Sequence, residues 1–354
     1  MKTILLSLLV FAQVLMFRNA ARAQEGPVQN IFSRLQQYDQ LNVVIETDIK
    51  QLRTGGPDVK WLPGIFKIMK GKKVDFEMNI QIAARGNMRR KTCDFPPVKI
   101  KFYEEKMEND SVEDINELKM VVSCRNSADD DQLVLKECLT YGLYNIITDE
   151  SFRVKQASVR FYDAKRKKSG METVAFFIES EKEMATRLGG RPLKPRIISP
   201  KGIDTTAYDR MCLFEFMIGN TDFGAYTRHN VKIVGLKGRQ PIAVPYDFDY
   251  SGLVAADYAI PSHDLPIQNV QERYYLGLCR DATGMNQLFK EYLDRKKLLF
   301  AYCEQFSGLD NDSRRQVINY LQEFFDILEN PRVAQKRILE NCNKRIKKDK
   351  SDDD

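Results

Sequence analysis

Apolar and polar residues alternate along the first half of the chain. Val74, Phe76, Met78, Ile80 and Ile82 are separated by Asp75, Glu77, Asn79 and Gln81. A period of two is the mark of a half-buried strand, because successive side chains point to opposite faces. Val43, Ile45, Thr47 and Ile49 make a shorter example. Val98, Ile100 and Phe102 alternate with Lys99 and Lys101, and Leu118, Met120 and Val122 flank Lys119. Polar or glycine-bearing stretches at 54–57, 85–91 and 104–117 read as the loops between them. The period then changes. Leu135, Leu139, Gly142 and Ile146 predict a helix over 131–148 with one core face. Two more strands are expected at 153–162 and 172–179. The basic run between them, Lys165 to Lys168, reads as a solvated hairpin tip.

Gly189, Gly190, Pro192 and Pro195 interrupt both periods and read as a hinge. Beyond them the chain turns helical. Asp204 is placed to cap a helix carrying Met211, Phe214 and Ile218. Val231–Leu236 and Pro241–Val244 predict a short hairpin turning at Gly235–Gly238. Residues 283–347 are helix-rich, with Val317, Leu321, Phe324 and Leu328 as one stripe ending near Asn330-Pro331. The expected class is α+β in two lobes: a β-rich N-lobe with one helix over 24–190, and an α-rich C-lobe over 191–343. A charged tail follows at 344–354. Two lobes imply a cleft between them, where sites commonly lie.

The N-terminus stands outside this pattern. Lys2 precedes an apolar run from Ile4 to Phe17, and Ala21-Arg22-Ala23 supplies a small-x-small cleavage site. Residues 1–23 therefore read as a secretory signal peptide, with Gln24 as the first mature residue. Gln13 interrupts the apolar run, which is shorter than a bilayer span requires. The expectation is a cleaved, exported chain, periplasmic or secreted, with no transmembrane segment in the mature protein. Removing the segment changes the charge. The whole chain has 55 Lys+Arg against 49 Asp+Glu, but Lys2, Arg18 and Arg22 belong to the segment, leaving 52 against 49. Bulk charge thus gives little reason to expect nucleic-acid binding. All seven cysteines lie in the exported part, and an odd count leaves at least one thiol outside an intramolecular pair. Cys93 and Cys124, at the ends of neighbouring strand patterns, are the expected disulfide.

Two histidines, His229 and His263, cannot build a multi-histidine metal centre. The GxxxxGK[ST], GxGxxG and GxSxG fingerprints are absent. Catalysis would have to rest on carboxylates, amides and Lys or Arg. One central block supplies them. Gly219-Asn220-Thr221-Asp222 begins where the predicted helix ends and runs on to His229-Asn230. Pro245-Tyr246-Asp247-Phe248-Asp249-Tyr250-Ser251-Gly252 follows the predicted hairpin. The hairpin would bring Asp222, Asn230 and Asp247 together. Hard oxygen donors of this kind suit Mg²⁺ or Mn²⁺. Asp249, two residues from Asp247, would share its face in an extended strand.

This block resembles the catalytic core of the CotH family, the spore-coat-protein-H-like atypical kinases. It is more distantly similar to HipA-type and secretory-pathway kinases. Upstream, Arg85-Gly86-Asn87, the strand at Val98–Phe102 and Leu118-Lys119-Met120 follow that family's order. The resemblance spans roughly 75–280 and is specific over 218–252. It implies a two-lobed protein-kinase-like fold and metal- and ATP-dependent phosphoryl transfer to a protein hydroxyl. Asp222 would be the catalytic aspartate, with Asn230 and Asp247 as ligands of Mg²⁺ or Mn²⁺ and Asp249 assisting. Lys119 would contact the nucleotide, steadied by Glu137, with Lys99 and Lys101 as competitors for that role. Arg85, with Arg89 and Arg90, would stand in for a glycine-rich phosphate loop. Phe177-Ile178-Glu179-Ser180 would border the adenine. Asp222 and Asn230 are eight residues apart, against five in the usual kinase pattern. The rival readings are a catalytically inactive envelope scaffold of the same fold, and nucleotidyl rather than phosphoryl transfer.

Overall fold

Seven strands close into a barrel: β1 (Asn42–Thr47), β2 (Leu62–Lys70), β3 (Lys73–Ala84), β4 (Val98–Phe102), β5 (Glu117–Val122), β6 (Val154–Asp163) and β7 (Lys168–Ile178). Their order around the barrel is β1-β2-β3-β4-β5-β7-β6 in this computed structural model. It describes residues 30–54, 60–86, 93–102, 117–125, 127–195, 198–199, 202–225 and 227–342. The expected signal peptide, Arg89, Arg90 and the charged tail lie outside the described residues. Every barrel pairing is antiparallel except the one that closes it, where β1 runs parallel to β6 and Ile45 lies opposite Phe161. Ile45, Phe66, Ile82, Ile100, Met120 and Phe161 are fully buried, so period-two residues fill the barrel, except that on β3 Val74 is exposed and Phe76 and Met78 are only half-buried, the buried set starting at Ile80. Ile49 departs from its expected strand. It opens a short helix, α2 (Ile49–Thr54).

The chain divides into two units, one up to Asp39 and one from Gln40 onward. In the first, α1 (Ile31–Gln36) is capped by Asn30, whose side chain accepts the Ser33 N–H at 2.8 Å. The rest of the description concerns the second unit.

Helix α3 (Ala128–Ile147) starts at Ser127, whose hydroxyl accepts the Asp130 N–H. It is buried on nearly every side from Val134 to Tyr144. A helix buried all round must be covered on more than one face. One side of α3 packs on β5, β6 and β7, the other on α6 (Ala282–Gln305) and α7 (Asn311–Glu329). Gly142 permits the approach of α6, since a Cβ there would collide with Tyr302.

Between barrel and terminal helices lie α4 (Glu181–Arg187), β8 (Gly190–Leu193), α5 (Thr205–Ile218), β9 (Val231–Leu236) and β10 (Ile242–Pro245). Strands β10-β9-β8 form a three-stranded sheet. The expected glycine-proline hinge is thus a strand, with Gly190 opposite Leu236 and Leu193 opposite Ile233. Pro192 is tolerated because β8 is an edge strand, where a missing N–H costs no ladder bond. Downstream of α7, α8 (Pro331–Ala334) runs into a π-helical turn.

Two lobes are not what this sequence forms. Everything from Gln40 onward is one compact unit. One apolar core runs without a break from Val121 on β5, through α3 and α5, to Cys342. The closed barrel and this shared core overturn the two-lobed protein-kinase-like fold, and only the coarse α+β class stands. Disulfides join Cys93 to Cys124, as expected, and Cys279 to Cys342. Cys138, Cys212 and Cys303 are buried and belong to neither disulfide. Among the described residues no helix is long and apolar enough to cross a membrane.

Candidate active site

Helix α5 ends at Gly219, whose φ of +66° is a left-handed conformation open to glycine at little cost. The chain then turns sharply. The Asn220 side chain accepts the backbone N–H of Asp222 at 3.0 Å, which fixes where Asp222 leaves the helix. Two side chains meet the Asp222 carboxylate. His229 Nε2 lies 2.9 Å from Oδ1, and Asn230 Nδ2 donates to Oδ2 at 3.0 Å and to the Asp222 carbonyl at 2.8 Å. The three extra residues between Asp222 and Asn230 form a tight loop, pinned by paired backbone bonds between Gly224 and His229. The longer spacing therefore still brings Asn230 back onto Asp222.

Strand β10 returns the chain to the same place. The Tyr246 N–H donates to the Asn230 carbonyl at 3.0 Å. Asp247 follows with φ +69°, a left-handed value uncommon for a residue other than glycine. Its N–H donates to the hydroxyl of Tyr141 on α3 at 2.9 Å. Burial, then the negative charge of Asp247, raise the Asp222 carboxyl above its ordinary value, against the lowering pull of His229 and Asn230. Asp222, Asn230 and Asp247 thus converge, each on a separate backbone turn.

Asp247 also lines a cavity of about 270 Å³ between the barrel and the three-stranded sheet. Arg85 just after β3, Lys119 on β5, Ile178 at the end of β7, and Glu179 and Ser180 beyond it line it as well. On β5 the buried residues Leu118 and Met120 point into the barrel, so Lys119 faces out of it. Burial first, then the positive charges of Arg85 and Lys232, push its ammonium down to about 8, while Asp247 and Glu181 pull upward. Its ammonium stands 5.1 Å from the Tyr246 ring centroid. Glu179 is already engaged, since Arg187 donates to both its oxygens at 2.9 Å.

The remaining expected residues are not among those that line the cavity. Lys101 and Lys99 both stack on Trp61, each 4.7 Å from the ring, and neither lines the cavity. Glu137 is fully buried on α3, one turn before Tyr141. The extended strand on which Asp249 was expected to share a face with Asp247 reaches neither residue. Strand β10 stops at Pro245, and Asp249 is buried with its carboxylate accepting the Tyr258 hydroxyl at 3.0 Å. Tyr141, Tyr246 and Lys232 were missed. Lys232 alternates with buried Val231 and Ile233, which marks its face but not the cavity it reaches.

The donor set suits a hard divalent cation in kind. Asn230 spends its amide N–H groups on Asp222, which leaves its Oδ1 as an acceptor. Among the described residues no cluster of three His, Cys, Asp or Glu side chains is arranged for a metal. A cation held here would draw on two protein oxygens and complete its shell with water or phosphate oxygens, as Mg²⁺ commonly does.

No protein-family model and no curated protein matches the chain. A solved structure, the Helicobacter pylori proinflammatory kinase CtkA, aligns over 70% of this chain and 93% of its own, with 10% identity and a TM-score of 0.34. A likeness at that level establishes neither a shared fold nor a shared activity.

Proposed function

We propose that the protein is an exported phosphotransferase that binds ATP with Mg²⁺ or Mn²⁺ and passes the terminal phosphoryl group to a protein hydroxyl. The observation that carries this reading is the meeting of Asp222, Asn230 and Asp247 beside a cavity walled by Lys119 and Arg85. Phosphoryl transfer asks little covalent chemistry of a protein. It needs charge stabilisation around the phosphates and a carboxylate at the acceptor. Lys119 and Arg85 provide the positive field. Asp247 and the Asn230 side-chain Oδ1 would hold the cation, which neutralises phosphate charge when bound. His229 and Asn230 aim the Asp222 carboxylate. It orients the acceptor hydroxyl and takes its proton as the new P–O bond forms and the bond to the ADP oxygen breaks. Export is supported by the N-terminal sequence pattern and by two disulfides, which persist in oxidising compartments.

The test compares the wild type with Asp247→Ala and Asp222→Ala. Melting temperature is read with and without ATP and Mn²⁺, beside a phosphate-transfer assay. The expected result is that Asp247→Ala loses the metal-dependent ATP shift. Asp222→Ala should keep the shift while transfer falls by about two to four orders of magnitude. Absence of any ATP shift in the wild type would leave the protein as a scaffold.

A further inference from the structure

Tyr246 is approached by two ammonium groups that come from different sheets. Lys119 reaches it from β5 of the barrel at 5.1 Å, and Lys232 from β9 of the three-stranded sheet at 4.9 Å. Both lysines line the same cavity, together with Arg85, Lys182 and Lys194. Lys232 is half-buried, and its nearest anion is Glu181 at 3.6 Å, too long for a tight ion pair. Arg85 leaves its buried Nε without a hydrogen-bond partner. With Lys182 and Lys194, the cavity wall thus carries five cations against four carboxylates, Glu117, Glu179, Glu181 and Asp247, and Glu179 is already held by Arg187. Bringing like charges together in a partly desolvated space is unfavourable unless an anion enters it. One aromatic face stabilises each ammonium only modestly.

We propose that Lys232 is a phosphate-binding residue of this cavity. With Lys119 it forms a two-sided cationic grip on a polyphosphate chain, so that the bound chain ties the barrel to the three-stranded sheet. The ligand class is a nucleoside triphosphate or another linear polyphosphate, not a nucleoside. This rests on, and deepens, the reading of the cavity as a nucleotide site. The extra cation matters because Asp247, Glu117 and Glu181 on the same wall offset part of the positive charge that Lys119, Arg85 and a metal ion would bring to a triphosphate. A lysine is a compact donor that follows a flexible phosphate chain without demanding a fixed fork geometry.

The experiment is titration calorimetry of the full chain with inorganic tripolyphosphate, ATP, inorganic phosphate and adenosine, each with Mn²⁺. Wild type, Lys232→Met and Lys232→Arg are compared. Lys232→Met should weaken tripolyphosphate and ATP by about ten-fold or more, the scale of one lost charge-assisted bond. Lys232→Arg should retain most of the binding, and adenosine should respond to neither change. The melting temperature of ligand-free Lys232→Met should equal or exceed that of the wild type, since a repelling charge is gone. Equal tripolyphosphate affinity in wild type and Lys232→Met overturns the proposal, as does a wild type that binds no tripolyphosphate. Phosphate transfer by Lys232→Met at the wild-type rate and affinity would sink this inference and leave the phosphotransferase reading standing. Lys232-dependent tripolyphosphate binding without any transfer from ATP would do the reverse.

Discussion

The hydroxyl of Tyr141 accepts a hydrogen bond from the backbone N–H of Asp247 at 2.9 Å, across 106 positions of chain. Tyr141 is buried on α3 and Asp247 holds a left-handed backbone, so the bond fixes a conformation that would otherwise relax. Tyr141→Phe keeps the ring and its packing against Phe176 and Phe248 but leaves that N–H unsatisfied. The expected loss of stability is about 1–2 kcal/mol in urea unfolding. The Mn²⁺-dependent part of the ATP melting shift should shrink with it. A variant that loses stability but keeps that part in full would show that Tyr141 supports the core only.

Lys119 sets a pH window for anion binding. Its ammonium has been pushed down from 10.5 to about 8, chiefly by burial. Anion affinity should therefore decline as pH rises from about 7 to about 9, as the free protein loses this charge. Stability moves the other way: between the two values the unfolded chain holds a proton that the native state lacks, so native stability gains with pH. Weaker binding at pH 9 thus cannot be a symptom of unfolding through this group. Lys119→Arg, whose guanidinium stays charged, should flatten the decline. An identical tripolyphosphate pH profile in both proteins would remove Lys119 from the phosphate site.

Glu215 predicts a pH effect on the fold itself. It lies fully buried on α5, and burial raises its carboxyl from 4.5 to about 8 against the pull of the Asn220 side chain. Over that interval the native state keeps a proton that the unfolded chain has released. Stability is therefore present in full below about pH 4.5 for this group and is lost as pH rises toward about 8, by up to about 1.4 kcal/mol per pH unit. Glu215→Gln should remove the slope between pH 5 and pH 8 in equilibrium unfolding. An unchanged slope would mean that Glu215 is ionised in the native protein.

The disulfides should matter in proportion to the loops they close. They span 31 residues for Cys93–Cys124 and 63 for Cys279–Cys342. In the chain-entropy picture each removes about 4 kcal/mol of unfolded-state freedom. Reduction should lower the melting temperature, and the paired substitutions Cys93→Ser with Cys124→Ser should reproduce part of that drop. Peptide mapping of oxidised protein should recover both cross-links and leave Cys138, Cys212 and Cys303 alkylated only after unfolding, because all three are buried.

Local chemistry explains what was readable beforehand. The period-two runs of β1, β3, β4 and β5, the cap Asp204, and the β9–β10 hairpin all depend on neighbours within a few residues. The segment from Gly219 to Asp247 was legible for the same reason. One hairpin and one helix exit bring Asp222, Asn230 and Asp247 together over 26 positions, and the residue types alone suggest hard-oxygen chemistry. Asp249 shows the limit: its expected face assumed an extended strand, and the strand ends at Pro245.

By itself, then, the sequence determined the elements whose partners are near in the chain and the carboxylate and amide block that a single hairpin assembles. Tertiary structure decided the rest. Closure of the barrel requires β1 to find β6 across more than 100 residues, and no local periodicity encodes a parallel partner. The glycines and prolines after α4 forbid a helix but do not say that β9 will pair with them. Lys99 and Lys119 are register partners on adjacent strands, yet one finds Trp61 and the other the cavity. Tyr141 and Lys232 reach the site because α3 and β9 are packed against it. Contacts of that kind form only once the outer faces of β5 and β7 have packed against α3 and the helices beyond it.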